Sequence, residues 1–267
     1  MSELLISGGT VVTDTSVADA DVLVRDGKIV DVGAGLSTSG RTLDAKGRWV
    51  MPGGIDTHTH LAHPIGRLGV TTADDFYVGT VAGACGGVTS IVDFALQGQG
   101  ESLATARDRR LAEMRPDAVI DYSFHVIVTD VTTAVLDEMA ELIRGGFPSF
   151  KIYMTYGDKK ISDDDLIRLL EACAAHNGVL YAHCENDCAV THLIERHLQR
   201  GETGPSFHAS SRPPSVEAEA TNRAIMLAEL AGATLCIAHV TSAGAARHVA
   251  DARARGQHVV AETCPQY

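Results

Sequence analysis

From Met51 onward, strand-like and helix-like segments alternate without a break, and this limits the fold more than any other feature. A strand at "GGID" precedes a helix over residues 73–85, which Thr72 and Asp75 open with capping-box spacing. Next come "TSIVDFAL" with a helix over 102–114, "AVIDYSFHVIV" with a helix over 133–144, and "SFKIYMTY". Ser162 with Asp165 opens a helix to about residue 176, and "GVLYAHC" follows. A helix over 189–199 enters the loop "GPSFHASSRPP", before a helix over 216–230, "ATLCIAHV", a helix over 245–255 and "HVVAET". Repeated βα units imply a parallel sheet. A doubly wound open sheet would place a Gly-rich phosphate loop after its first strand, and histidines stand there instead. An α/β fold of the (β/α)8 TIM-like barrel type fits better, truncated after about seven strands.

Residues 1–50 read differently. "LLISGGTVV", "DVLVRDGKIVDVG" and "RTLDAKGRWV" alternate as strands, and Asp26-Gly27 is a hairpin signal. These strands are too few to close a core, so they read as part of a small β-sandwich domain, leaving 51–267 for the incomplete barrel.

The net charge of −12 argues against a nucleic-acid or anionic-membrane partner, because both need a basic face. "MSELLISGGTVV" lacks the basic flank and apolar run of a signal peptide, and no apolar stretch reaches the roughly 18–20 residues that span a bilayer. Six cysteines (Cys85, Cys173, Cys184, Cys188, Cys236, Cys264) show no disulfide-framework spacing, which points to a reducing cytoplasm. Cys184 and Cys188 could be half of a zinc site, but no second pair follows.

Barrel enzymes place their chemistry at the C-terminal ends of strands. His58 and His60, two apart at the end of the first strand, should project to one face and reach one ion. Asp56 shares their parity and could orient a ligand from behind, while His63 falls past the strand as a lid or surface residue. "YAH" places His183, and "IAH" His239, at later strand ends. Each alone could be a hydrogen-bonded buried histidine; together they suggest a divalent-metal centre. Lys151, inside the apolar strand "SFKIYMTY", is the most telling residue. A buried ammonium is costly and loses basicity. Such a lysine reaches the rim, pairs with an acid, or reacts as the neutral amine with CO2 to give a carbamate that can bridge two cations.

"GGIDTHTH", "FKIYMTY", "AHCEN", "FHASSRPP", "IAHVTS" and "AETCPQY" resemble the cyclic amidohydrolases, and "GGVTSIVDF", "HCEN" and "ETCPQY" are closest to the dihydropyrimidinase/hydantoinase group. The resemblance implies a metal-dependent hydrolase that opens cyclic amides of dihydropyrimidines or hydantoins to N-carbamoyl amino acids. It implies two divalent ions, usually zinc, with His58 and His60 on the more buried ion and His183 and His239 on the other. Carboxylated Lys151 would bridge them, and Tyr156 would hydrogen-bond the substrate oxyanion. It further implies a cytoplasmic homotetramer acting on a small-molecule cyclic amide. The family's eighth-strand aspartate would lie beyond Tyr267, and the loops "LAHPIGRLGVTT" and "GDKK" look variable. The alternatives are another cyclic amidohydrolase (allantoinase or dihydroorotase) or a non-catalytic scaffold homologue.

Overall fold

The computed structural model describes residues 2–65 and 69–267. The chain divides into two compact units: one runs to Ile55 and includes Gly87–Thr89, and the other holds Asp56–Gly86 and Ser90–Tyr267.

The first unit is a five-stranded mixed sheet of β1 (Glu3–Val12), β2 (Val17–Arg25), β3 (Lys28–Gly33), β4 (Arg41–Asp44) and β5 (Trp49–Val50). Its order is β3-β2-β1-β4, with β5 also paired to β1. Strands β2 and β3 are antiparallel, and the turn between them holds Asp26 at φ 48° and Gly27 at φ 76°. Two consecutive positive φ angles are what an Asp-Gly hairpin turn requires. Leu5, Val11, Val22 and Ala45 are its buried apolar residues.

The second sheet has seven strands: β6 (Gly54–Asp56), β9 (Val88–Leu96), β10 (Asp121–Ile127), β11 (Ser149–Tyr153), β12 (Val179–His183), β13 (Thr234–Ile237) and β14 (Val259–Ala261). They lie in chain order, and every pairing from β9 to β14 is parallel. The intervening helices are α1 (Phe76–Cys85), α2 (Leu103–Met114), α3 (Thr133–Arg144), α4 (Asp163–His176), α5 (Asp187–Gln199), α6 (Ser206–Ser210), α7 (Pro214–Ala231) and α8 (Ala243–Ala254). This is the strand-helix order of a (β/α) barrel, with the expected seven strands.

Three local expectations shift. Helix α1 begins three residues later than predicted, because Asp75 itself caps it by accepting the Val78 N–H at 2.8 Å. Thr72 is occupied elsewhere: its hydroxyl donates to the His60 carbonyl at 2.6 Å and accepts the His63 N–H at 2.9 Å. The five-residue α6 lies in a segment whose Ser and Pro content reads as loop. The segment after His60 contains a small antiparallel hairpin, β7 (Pro64–Ile65) with β8 (Val70–Thr71); residues 66–68 of that predicted lid lie outside the described residues.

Strand alternation sorts the side chains of the large sheet into two populations. Val126, Phe150, Ile152, Leu180, Ala182, Leu235 and Ile237 face the helices and form one continuous core with Met139, Leu166, Leu169, Ala224 and Val249. The intervening positions (Phe94, His125, Lys151, Tyr181, Cys236) face the other way and touch one another. Register keeps this second set level: Ile127, Lys151, Tyr181 and Cys236 are successive cross-strand partners.

Leu169 of α4 is fully buried in the helix-side core. Leu169→Ala should lower unfolding free energy by about 2–5 kcal/mol through lost burial and a residual cavity, measured as a fall in the urea midpoint at unchanged slope.

Candidate active site

The strand-end residues form an arc on the inner face. The ring centroids of His58 and His60 are 5.2 Å apart, those of His58 and His239 5.5 Å, and those of His183 and His239 4.7 Å. The Tyr156 ring follows, 4.8 Å from His183. All the predicted site residues therefore come together, although not all by the route expected. Of the four histidines, only His183 is still in a strand. Strand β6 ends at Asp56, so alternation does not aim His58 and His60. Asp56 is exposed, and its carboxylate accepts the His58 backbone N–H at 3.1 Å, so it turns the chain rather than orienting a ring. His239 and Tyr156 lie past β13 and β11 at φ 34° and 75°. A positive φ in a bulky residue is strained and is held here by surrounding structure.

Lys151 sits beneath the arc at 1% exposure, with no hydrogen-bond partner for its Nζ. Aromatic rings surround that nitrogen: the centroids of Tyr181, Tyr153 and Phe94 lie 4.9, 5.4 and 5.6 Å away. Burial lowers the Lys151 pKa to about 8, so a substantial neutral fraction exists near physiological pH. The charge of Lys151 also reaches His60, His183 and His239, adding to the burial that holds all three below the ordinary imidazole value.

Two glutamates that sequence reasoning did not single out fix the rings. Glu185 Oε2 lies 2.7 Å from His183 Nε2, and its Oε1 pairs with Arg212 at 3.2 Å. A carboxylate only accepts, so Nε2 of His183 carries the proton and Nδ1 turns a bare lone pair inward. That Nδ1 is 3.0 Å from His239 Nε2. Glu262 does the same for His58: its Oε1 bonds Nδ1 and leaves Nε2 as the lone-pair donor. Burial is the largest single influence on Glu262 and opposes its charge, but the hydrogen bond to His58 and the other interactions that favour the carboxylate together outweigh it and hold the carboxyl at about 2. The signal was present in "HCEN", where Glu185 stands two residues after His183, and in "AETCPQY" for Glu262. Neither spacing names its partner without the fold.

His63 is buried rather than a surface residue, with its ring edge against His60 at 4.8 Å. His125, also unforeseen, is a structural tie: Nδ1 meets Ser149 Oγ at 2.6 Å and Nε2 meets the Thr57 carbonyl at 2.9 Å. Cys184 is buried and Cys188 exposed, and among the described residues neither joins a group of side chains that could hold a metal ion. Beside the arc lies a cavity of about 660 Å³, lined by Tyr156, His183, Glu185, Arg212 and His239 among others. Its volume suits a small molecule.

Among the described residues, no three His, Cys, Asp or Glu side chains are gathered as a metal-binding group. The candidate donors instead come as two histidine pairs with Lys151 below. His60 Nδ1 and Lys151 Nζ are both buried polar atoms without partners. Buried orphans are rare and point to a missing partner.

The description of the amidohydrolase family matches residues 49–266. The chain belongs to the amidohydrolase family. Within it, this amidohydrolase falls in the dihydropyrimidinase/hydantoinase group. It is 44% identical to a D-hydantoinase of Geobacillus stearothermophilus over 98% of its own length and 56% of that protein. It is 40% identical to a dihydropyrimidinase of Rattus norvegicus over 97% of its length and 51% of that protein. The crystal structure of dihydropyrimidinase from Brevibacillus agri superposes with a TM-score of 0.96 at 42% identity, covering 99% of this chain and 58% of that one. The chain thus spans a little over half the length of these relatives. Among its described residues no helix is long and apolar enough to cross a membrane.

Burial holds the pKa of His125 at about 4, below its ordinary value of 6.5. Between those values the unfolded chain binds the extra proton and the folded chain does not, so stability falls as pH drops from about 6.5 to 4. The shift corresponds to up to about 3 kcal/mol. His125→Gln should flatten this part of the urea-stability profile, and an unchanged slope would contradict it.

Proposed function

We propose that this protein hydrolyses the cyclic amide of hydantoins or dihydropyrimidines to N-carbamoyl amino acids at a binuclear metal centre. The observation that carries the reading is Lys151: an unpartnered, fully buried amine of lowered basicity under four histidines. No folding advantage accounts for such a group, since an apolar residue of similar size would avoid the desolvation cost. The names of the relatives, D-hydantoinase and dihydropyrimidinase, support the substrate class.

The residues present fit two divalent ions, zinc in this reading. His58 and His60 would hold one, His183 and His239 the other, and carboxylated Lys151 both. When bound, the ions would polarise the scissile carbonyl and make hydroxide available near neutral pH. The neutral Lys151 amine adds to CO2, forming an N–C bond and releasing one proton, which converts a buried cation into an anion with two oxygen donors. Glu185 and Glu262 hold His183 and His58 in single tautomers, so their inward nitrogens are lone-pair donors without rearrangement. Tyr156, raised to about 12 by burial and by Glu185, keeps its proton at working pH. Its hydroxyl donates to the ring carbonyl oxygen as negative charge builds there. The surrounding aromatic rings exclude bulk water and strengthen these interactions. A cytoplasmic homotetramer is the assembly this reading carries, on family resemblance and six free cysteines.

Metal analysis of the full-length protein should find close to two divalent ions per chain, and none would overturn the reading. Intact mass should show one added CO2 that disappears, with the metals, in Lys151→Ala. Tyr156→Phe should retain both metals but lose about 10²–10³-fold in kcat; full activity would remove Tyr156 from the chemistry.

A further inference from the structure

The segment bearing His58 and His60 leaves the sheet at Asp56, and a long backbone hydrogen bond, Thr59 N–H to the Val92 carbonyl at 3.4 Å, ties it back to β9. A buried ion pair does more. Asp93 of β9 has no exposed surface, and Arg110 of α2 is 6% exposed. Asp93 pairs in register with Phe124, so it shares the helix-facing parity of Val126 and meets α2 there.

The two residues grip the neighbours of His60. Asp93 Oδ2 accepts the Thr59 hydroxyl at 3.1 Å and the Leu61 N–H at 2.8 Å. Its Oδ1 accepts Arg110 Nη2 at 2.7 Å. The same guanidinium nitrogen donates to the Leu61 carbonyl, so Leu61 is held at both its N–H and its C=O. The fork itself is fixed, with the Phe76 ring 4.6 Å beneath it and Glu113 on Nη1 at 3.1 Å. Phe94, the next residue after Asp93, lies flat against the His60 ring at 4.4 Å and 17°. One dipeptide therefore sets both the backbone around His60 and the plane of its imidazole.

We propose that the Asp93–Arg110 pair is a positioning clamp that presets the His58–His60 loop in its metal-binding conformation. The inference rests on the reading of those histidines as metal ligands. Stability alone does not account for the pair, because a buried ion pair is commonly no more stabilising than well-packed apolar residues of similar volume. What the pair supplies is geometry: a planar fork that bonds a carboxylate and a carbonyl at once, which neither lysine nor an apolar side chain reproduces. Ordering the loop is then completed on folding, and ligation need not meet that cost.

The test uses the full-length protein and its Arg110→Lys, Asp93→Asn and Thr59→Val variants. Zinc affinity is measured by competition with a chromophoric chelator, the cobalt(II) spectrum is recorded, and urea stability is followed in parallel. If the parent protein binds no metal, the metal reading itself has failed, and the clamp falls with it. Given two ions in the parent, Arg110→Lys should weaken one of them by about 10–100-fold. The cobalt spectrum of that ion should change while that of the other is kept. Thr59→Val leaves the ion pair intact and should show a smaller loss at the same ion. A folded Arg110→Lys protein with parental affinity and spectrum overturns the proposal. So does an equal loss at both ions that merely follows lost stability. Should both charge variants fail to fold, an unchanged affinity in Thr59→Val overturns it alone.

Discussion

The burial of the Lys151 amine is the constraint around which the inner face of the large sheet is organised. Solvation is unavailable at 1% exposure, and no acceptor replaces it. Partial compensation comes from the faces of Tyr181, Tyr153 and Phe94, whose quadrupoles favour a nearby cation. That compensation is incomplete, as the lowered basicity shows. The same rings leave little room for water, so burial also holds His60, His183 and His239 below the ordinary imidazole value. A site rich in neutral nitrogen donors and one neutralisable amine follows from a single decision to bury a lysine.

Carboxylates complete that arrangement from outside. Glu185 and Glu262 each meet the remote nitrogen of a ring, and Asp93 meets the backbone beside a third. All three accept protons and offer none, so each fixes a direction as well as a distance. The geometry of the inner arc is therefore set largely by groups that do not belong to it.

The fold was legible because hydrophobic period is a local property. Apolar runs with intervening helical patterns disclose a parallel sheet wherever they occur, and all seven barrel strands were anticipated. The candidate site was legible where a polar residue interrupts an apolar strand, as at Lys151 and His183. It was less so where the chain leaves a strand. Thr72 has the spacing of a helix cap, yet its hydroxyl serves His60 and His63, and Asp75 takes the cap. Asp56 has the right parity to reach a ring but turns to the backbone of His58. Glu262, more than two hundred residues from His58, could not be matched to it without the sheet order. Local alternatives compete closely for short polar side chains, and tertiary contacts decide among them.

The alternation of inward and outward side chains along β11 and β12 has a consequence for how such a gene can vary. Losing or gaining one codon within either strand would exchange the two populations: Phe150 or Ile152 would enter the site, and Lys151 would be driven among Leu166, Leu169 and the other helix-side residues. Point changes there can be graded in severity, whereas length changes are all-or-none. The turns after Leu61 and Tyr156 obey no such rule. Insertion and deletion can therefore accumulate at those two places, with the inner layer of the sheet left in frame.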